Sequence, residues 1–420
     1  MKTRKNKSKN ILFLGSFVKK NNTGGSVGVD YILNNLSFEN IHWLNTRPSF
    51  KTVISKESLN IYDTNNYDPF FYRFVNYIIW KVDFNILRRL IFSQKIPFLL
   101  SHICFLFHKN VWSQIQLLSL NTYIKKNDIN YFIISLDNDF IIFSHAFINH
   151  PKRNNIISIV SDDPGASLKL YGVPNKIIDN VEKLFKKVLI KSKSIAVISE
   201  GMQIYYKKLA NVNSIITYPV NTTKLFNKEE IIAPSIFKIK IIHIGHLRIS
   251  EIANLNIFIT ALNDSGIDYE FYFLGRDAER YELVNSNDKI KILGWVSQTE
   301  LEQHIASSNF AYVPYSFETE HKVFVSTSFP NKVTSFLKLG IPIIHHGPQF
   351  SSVATFIKRY DVGFVINSLE KNIIKKDIHT ILTSLDMEKM RIRCLEIATI
   401  ELNSLTIAGH YEKMIDDLTH

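Results

Sequence analysis

The chain has 420 residues, 50 Lys and Arg against 38 Asp and Glu, and a formal net charge of +12. Its 45% hydrophobic and 12% aromatic content is globular and excludes disorder or a fibrous repeat as the main state. At roughly 150 residues per domain, two or three domains are expected. Two cysteines, Cys104 and Cys394, exclude a disulfide scaffold and a cysteine-based zinc module and suit a reducing compartment.

The excess charge lies in two segments. Residues 1–10 carry five Lys and Arg and no acid, and residues 71–126 carry eight against Asp83 alone. The rest of the chain balances to zero, so an account of function must say what these two segments touch. After the basic tail comes a seven-residue apolar run, Ile11–Phe17. It is too short for a signal peptide and lacks a small-residue cleavage site. It reads as the first strand of an α/β domain. The loop that follows contains Gly24, Gly25 and Ser26, whose backbone can approach a ligand closely. It matches neither G-x-G-x-x-G nor a Walker A loop, and a plain flexible turn is the alternative.

Residues 71–126 hold twelve aromatic residues as well as the cations. Basic side chains with Trp and Phe on helices describe an interfacial membrane surface, and Trp80, Arg88, Arg89 and Lys95 are its candidate contacts. Single-stranded nucleic acid is a rival partner on charge and aromatics. No nucleic-acid motif supports it, so nucleic acid is not expected as a partner. A core role for the aromatics with solvated lysines also remains open. The most apolar window, Ile96–Phe107, is too short to span a bilayer.

From there apolar, β-branched runs recur at Tyr131–Leu136, Ile156–Val160, Ser194–Ser199 and Ile215–Tyr218. Later come Ile239–Gly245, Tyr269–Gly275, Ile290–Trp295, Phe310–Tyr315, Ile341–His345 and Val362–Ile366. Helical spacing between them, as in Asn175–Leu189 and Ile252–Leu262, predicts parallel sheets covered on both faces. Asn221–Phe237 is polar and aperiodic and is the expected linker. Two doubly wound, Rossmann-like domains are therefore predicted, 1–221 and 222–394. A helix over 395–420 is expected to pack back on the first. Ligands of such sheets bind beyond the carboxyl ends of their strands, so a cleft faced by both domains is the default site.

At one such strand end Ile156–Val160 is followed by Ser161-Asp162-Asp163-Pro164-Gly165. Adjacent carboxylates in a short loop can raise one another's pKa and serve as a base. Asp163 is favoured over Asp162 on loop position, although Asp-Pro-Gly is equally good turn chemistry. In the second domain, Pro330-Asn331-Lys332 opens a helix with an apolar side that ends at Gly340 before Ile341-Pro342-Ile343-Ile344. A helix start with Lys332 in its first turn suits a diphosphate, and Arg248, after Gly245 and His246, could add charge. The spacings of His243, His246, His304, His345 and His346 match no metal motif, so loop or core roles are expected and no metal.

The Pro330–Ile344 segment resembles the nucleotide-sugar-binding segment of GT-B glycosyltransferases. Ile241–Arg248, Phe271–Gly275, Ile290–Val296 and Phe310–Tyr315 agree in order with the donor domain of that family. The resemblance covers about 238–367 well and 11–220 more loosely, with Val197–Met202 the best fragment there. It implies a GT-B fold and transfer from a nucleotide sugar, with UDP the expected nucleotide, to a glycan or lipid-linked acceptor of bacterial surface polysaccharide. It implies no cofactor beyond that cosubstrate and no catalytic metal. Gly245, His246, Arg248, Tyr315, Glu320, Pro330, Asn331 and Lys332 would meet the donor, and Gly24, Gly25 and Ser26 the acceptor and diphosphate. Two departures are visible. Ser335 replaces the usual ribose-binding Glu, and the E-x7-E spacing of retaining members is missing, which favours inversion with an Asp base.

Lys332 without an acidic ribose clamp, a basic aromatic first domain and the S-D-D loop together are similar to the glucuronosyltransferases of xanthan assembly. Those are peripheral on the inner face of the cell membrane, which would supply an anionic surface as partner. A non-catalytic GT-B-like or basic membrane-binding protein is the alternative. The oligomeric state is not legible.

Overall fold

Parallel strands expose no face to water, so their apolar runs come together only where helices cover both sides. The computed structural model of the protein shows this arrangement twice. It describes residues 10–15, 36, 40–45, 60–62, 86–93, 95–138, 140–149, 155–231, 238–275, 288–383 and 386–418. The loop candidates Gly24, Gly25 and Ser26, the tail 1–9 and Trp80 lie outside the described residues.

The chain divides into two compact units, Met1–Thr217 with Ile407–His420, and Tyr218–Thr406. The first holds a seven-stranded sheet made of β1 (Asn10–Gly15), β2 (Asn40–Asn45), β3 (Asn60–Tyr62), β4 (Tyr131–Ser135), β5 (Ile156–Val160), β6 (Ser194–Val197) and β7 (Ile215–Ile216), in the order β3-β2-β1-β4-β5-β6-β7. Every pairing is parallel. Ile11, Leu12 and Leu14 are fully buried, as is the whole of β5. The helix Asn175–Lys191 covers the sheet with Ile177, Val181, Leu184, Val188 and Leu189, spaced to fall on one side. Each such side chain contributes about 1.5–3 kcal/mol on burial.

The second unit holds β8 (Ile239–Ile244), β9 (Tyr269–Leu274), β10 (Ile290–Gly294), β11 (Phe310–Pro314), β12 (Ile343–His346) and β13 (Gly363–Ile366) in the order β10-β9-β8-β11-β12-β13. These pairings are parallel as well. Aromatic packing fills its core: Phe258 stacks on Tyr312 at 4.6 Å and Phe271 meets the same ring edge-on at 5.8 Å.

Three sequence expectations change. β2 and β3 escape the reading because NIHWLN and NIY are short and half polar. The boundary between units falls at Thr217–Tyr218, ahead of the polar stretch, because Tyr218 packs on Phe329 and Phe356 at 5.1 and 5.2 Å. The terminal segment is two helices, Met387–Glu401 and Ser404–Asp417, and only its part from Ile407 belongs to the first unit. Asn403 divides them by accepting the Leu405 N–H with its side chain, as a capping residue does.

Each sheet reverses its strand order once, between β1 and β4 and between β8 and β11. Those two points are where an open parallel sheet leaves a crevice at its carboxyl edge.

One close approach supports the second sheet. A methyl group at Gly363 would lie 2.1 Å from the carbonyl oxygen of its neighbour Ile343. Gly363→Ala is expected to destabilise this unit by roughly 1–3 kcal/mol through overpacking, measured by thermal unfolding. An unchanged melting temperature would contradict the register.

Candidate functional site

The crevice of the second unit opens after β8. Gly245 takes φ +93°, which lets the chain turn sharply from strand to loop. Gly275 after β9 packs so closely that a methyl there would lie 2.8 Å from the Gly245 oxygen. His246 is exposed, and the helix Ile249–Asn263 begins behind Arg248. The Asn254 side chain of that helix donates to the Tyr315 carbonyl at 2.8 Å, joining the loops of β8 and β11.

Lys332 reaches this point from the helix Asn331–Lys338. Its Nζ donates to the carbonyl of Ile244, the last residue of β8, at 3.1 Å. The half-buried ammonium is poorly hydrated, which brings its pKa down to about 8, and nearby Arg248 pushes the same way while Glu251 opposes. Arg248 is held in place: Nη1 pairs with Glu251 Oε1 at 3.0 Å, and the guanidinium lies 4.1 Å above the Phe324 ring. Glu251 is buried and also accepts the Arg248 backbone N–H at 2.8 Å. Two cations and one carboxylate thus stand at the carboxyl end of β8 beside a helix start. This arrangement suits an anion such as a diphosphate. Glu251 and Phe324 are additions to the sequence reading. Glu251 was visible only as an acid one helical turn beyond Arg248.

Other expected donor residues take different positions. Tyr315 is buried and its hydroxyl donates to the Ser328 carbonyl at 2.9 Å, so it acts as a strut between loops. Pro330 is the residue before the helix and not in its first turn, with φ −72° and ψ 131°. Asn331 accepts from the Asn221 side chain through its carbonyl at 3.1 Å. Ser335 accepts from Asn221 and Thr223 at 2.8 and 2.9 Å, which ties down the start of the connecting segment. Glu320 is exposed on the loop after β11. Among the described residues, Glu318, Glu320 and His321 bring three ligand atoms within 4.8 Å of one another.

The buried histidines are core groups. His345 donates from Nδ1 to Val313 O at 2.8 Å and accepts at Nε2 from Ser351 Oγ at 2.7 Å, and burial lowers its pKa to about 3. His346 sits between Tyr312 Oη and Ser368 O at 2.8 and 2.7 Å, and burial lowers it to about 4. His243 is driven well down, first by burial and then by Lys332. All three are neutral imidazoles at neutral pH.

In the first unit, the adjacent carboxylates separate. Asp163 is buried; it accepts the Ala166 N–H at 2.9 Å as helix cap and the Tyr206 hydroxyl at 3.1 Å. Burial raises its pKa, against those hydrogen bonds. The preference for Asp163 over Asp162 therefore reverses, because both Asp163 oxygens are engaged in holding the turn. Asp162 is exposed and lines a cavity of about 390 Å³ with Asp137, Asn138, Ser161 and Tyr171. Ser135 donates to Asp137 at 3.1 Å and Asn138 to Ser167 at 2.7 Å. The cavity lies at the carboxyl ends of β4 and β5, beside the switch point. Asp137 was missed by the sequence reading, although its place just past a strand end marked it.

The expected membrane contacts part company in the same way. Arg89 and Lys95 are exposed, but Arg88 is 3% exposed, with its guanidinium 5.5 Å over the Phe140 ring. It faces inward from the helix Arg88–Phe92 beside Ile91 and cannot meet a lipid surface.

The family model for the glucosyltransferase 3-like C-terminal domain matches residues 252–411. No curated protein matches the chain in sequence. Among solved structures, sucrose-phosphate synthase from Thermosynechococcus elongatus is similar at TM-score 0.63 and 12% identity, covering 98% of this chain and 99% of that one. HepE from Anabaena, solved with UDP and glucose, gives 0.58 and 12% over 97% and 99%. A glycosyltransferase from Rickettsia africae gives 0.57 and 11% over 98% and 99%. At these identities the likeness shows the fold, which is GT-B.

The two carboxylates are expected to respond differently to truncation. Asp163→Ala should cost about 1–2 kcal/mol of stability as a lost helix cap, whereas Asp162→Ala should leave the melting temperature unchanged. Calorimetry on both variants checks this, and equal losses would refute the assignment.

Proposed function

We propose that the chain is a glycosyltransferase that moves a sugar from a UDP-linked donor to a hydroxyl of a glycan or lipid-linked acceptor. The observation that carries this is the half-buried Lys332 ammonium, 3.1 Å from the last carbonyl of β8 and beside a fixed Arg248. In a GT-B fold that point belongs to the donor. The UDP complex reported for HepE supports the choice of nucleotide. The similarity to glucosyltransferase 3-like domains supports hexosyl transfer.

The reading assigns a single displacement with inversion. Asp162 takes the proton of the acceptor hydroxyl as its oxygen attacks the anomeric carbon. The bond from that carbon to the UDP oxygen breaks, and the electron pair leaves with the diphosphate. Lys332, Arg248 and the helix start at Asn331 meet the developing charge without cost of reorganisation at that moment. The chain's own cations fill this role, so the reading needs neither metal nor cofactor. Ser335 is occupied by Asn221 and Thr223 and leaves the ribose to other groups. The pathway we infer is bacterial surface polysaccharide synthesis at the cytoplasmic face of an anionic membrane. The resemblance to glucuronosyltransferases of xanthan assembly makes UDP-glucuronate the first donor to assay. No nucleic acid enters the reading.

The proposal is tested by transfer assays with UDP-sugars and lipid-linked acceptor. Asp162→Asn is expected to lower kcat by about 10²-fold or more. Full activity in that variant would remove Asp162 as base. A second expectation follows from Lys332, which is charged below its pKa of about 8 and neutral above it. The KM for donor should stay level below that pH and rise above it, and Lys332→Met should abolish the rise and start from a higher KM. A pH-independent wild-type KM would count against the assignment.

A further inference from the structure

Helix Phe98–Phe107, the π-helical turn His108–Trp112 and helix Ser113–Lys126 run on with helical backbone angles at each junction. Cys104, Phe105, Leu117 and Leu120 are buried as core, but part of the run is polar inward and apolar outward. Ser101, His108, Ser113 and Gln116 are buried, while Leu99, Ile103, Phe107, Val111 and Leu118 are 42–70% exposed. The exposed positions 103, 107, 111 and 118 share one side at helical spacing, and an exposed apolar stripe of this length marks an interaction surface. Residues 86–126 contain six Lys and Arg and no acid.

Beside the stripe lies a cavity of about 770 Å³, lined by Lys109, Gln114, His145, Asn149, Lys187 and Lys191 among others. Gln114 is one turn from Val111 on the same helix side. Ile190, also exposed, lines the cavity and adds apolar surface. Lys191 Nζ donates to Asn149 Oδ1. The three ammonium groups converge on the cavity: after burial, Lys187, Lys109 and Lys191 hold the His145 pKa down at about 4. No carboxylate lines it. Asn149 follows the helix that precedes β5, and Lys191 ends the helix that leads into β6. The cavity therefore sits at the amino edge of the sheet, away from Asp162 at its carboxyl edge.

We propose that this face docks the protein on an anionic bilayer, with the stripe at the acyl boundary and the lysine cavity around the phosphate headgroup of an acidic phospholipid. Charge complementarity selects the occupant. A helix that is apolar outward lies in the interface plane, and each lysine near an anionic surface adds attraction. Among the described residues no helix is long and apolar enough to cross a membrane. The inference rests on the membrane part of the proposed function and is independent of the transferase chemistry.

The test is co-sedimentation of the full chain with phosphatidylcholine vesicles, with and without phosphatidylglycerol. The wild type should bind only the anionic vesicles. Combined Lys109→Ala, Lys187→Ala and Lys191→Ala should weaken that binding by about tenfold or more. Ile103→Asn with Leu118→Asn should do so as well. Arg89→Ala serves as the surface-charge control and should change binding far less. All variants replace exposed or half-buried side chains, and unaltered thermal unfolding and UDP-sugar turnover would show them folded. Wild-type binding that survives both sets of substitutions overturns the docking face while leaving membrane association standing. Absence of wild-type binding to anionic vesicles overturns both. A dimer in sedimentation velocity that Ile103→Asn with Leu118→Asn dissociates, without vesicle binding, assigns the stripe to a second copy and also overturns the proposal.

Discussion

Lys332 carries its ammonium into a place where water is scarce, and the carboxyl edge of the second sheet is arranged around that charge. Removing a cation from water is costly unless nearby groups replace its hydration. The Ile244 carbonyl replaces one hydrogen bond. Glu251 supplies the opposite charge, but its carboxylate is shared with Arg248 through a 3.0 Å pair. The compensation is incomplete, as the lowered pKa of Lys332 records. On the proposed reading, a bound dianion would complete it. Gly245, the Asn254–Tyr315 hydrogen bond and the Tyr315–Ser328 hydrogen bond hold the backbone that makes this possible.

The same competition between burial and charge sorts the carboxylates of the first unit. Asp162 and Asp163 are neighbours in sequence, yet the turn into the helix Pro164–Leu170 sends them opposite ways. Asp163 goes inward and is satisfied by a backbone N–H and a tyrosine hydroxyl. Its charge is felt around it: burial and then Asp163 raise the pKa of Glu182, and burial and then Asp163 raise Tyr205 to about 12. Asp162 remains exposed and lines a cavity with Asp137. A buried carboxylate that fixes structure and an exposed one are thus separated by one peptide bond.

Basic charge is likewise divided by depth. Arg88 is spent inside the fold against Phe140, whereas Lys109, Lys187 and Lys191 gather from two separate stretches of chain around one cavity. Lys187 and Lys191 do not belong to the basic segment 71–126 at all. The aromatic content of that segment also splits: Phe105 and Tyr123 are core, and Phe107 is outside.

The sequence by itself determined the alternation of strand and helix, the two parallel sheets and the helix that opens beside Lys332. These are local properties: apolar runs of strand length, helical spacing and a Pro-to-Gly helix that leads into a strand. Strand ends in β5 and β11 were legible to within a residue for the same reason. Depth and convergence were decided only by the tertiary structure. Which of Asp162 and Asp163 faces the cavity depends on the helix it caps and on Tyr206, 43 residues further along. The roles of Glu251 and Phe324 depend on a helix and a loop meeting above β8. The exposed apolar stripe of residues 98–126 is hidden in a mean composition and appears only once the buried side is known. Periodicity reports what a short segment prefers, whereas burial is set by partners that lie far away along the chain.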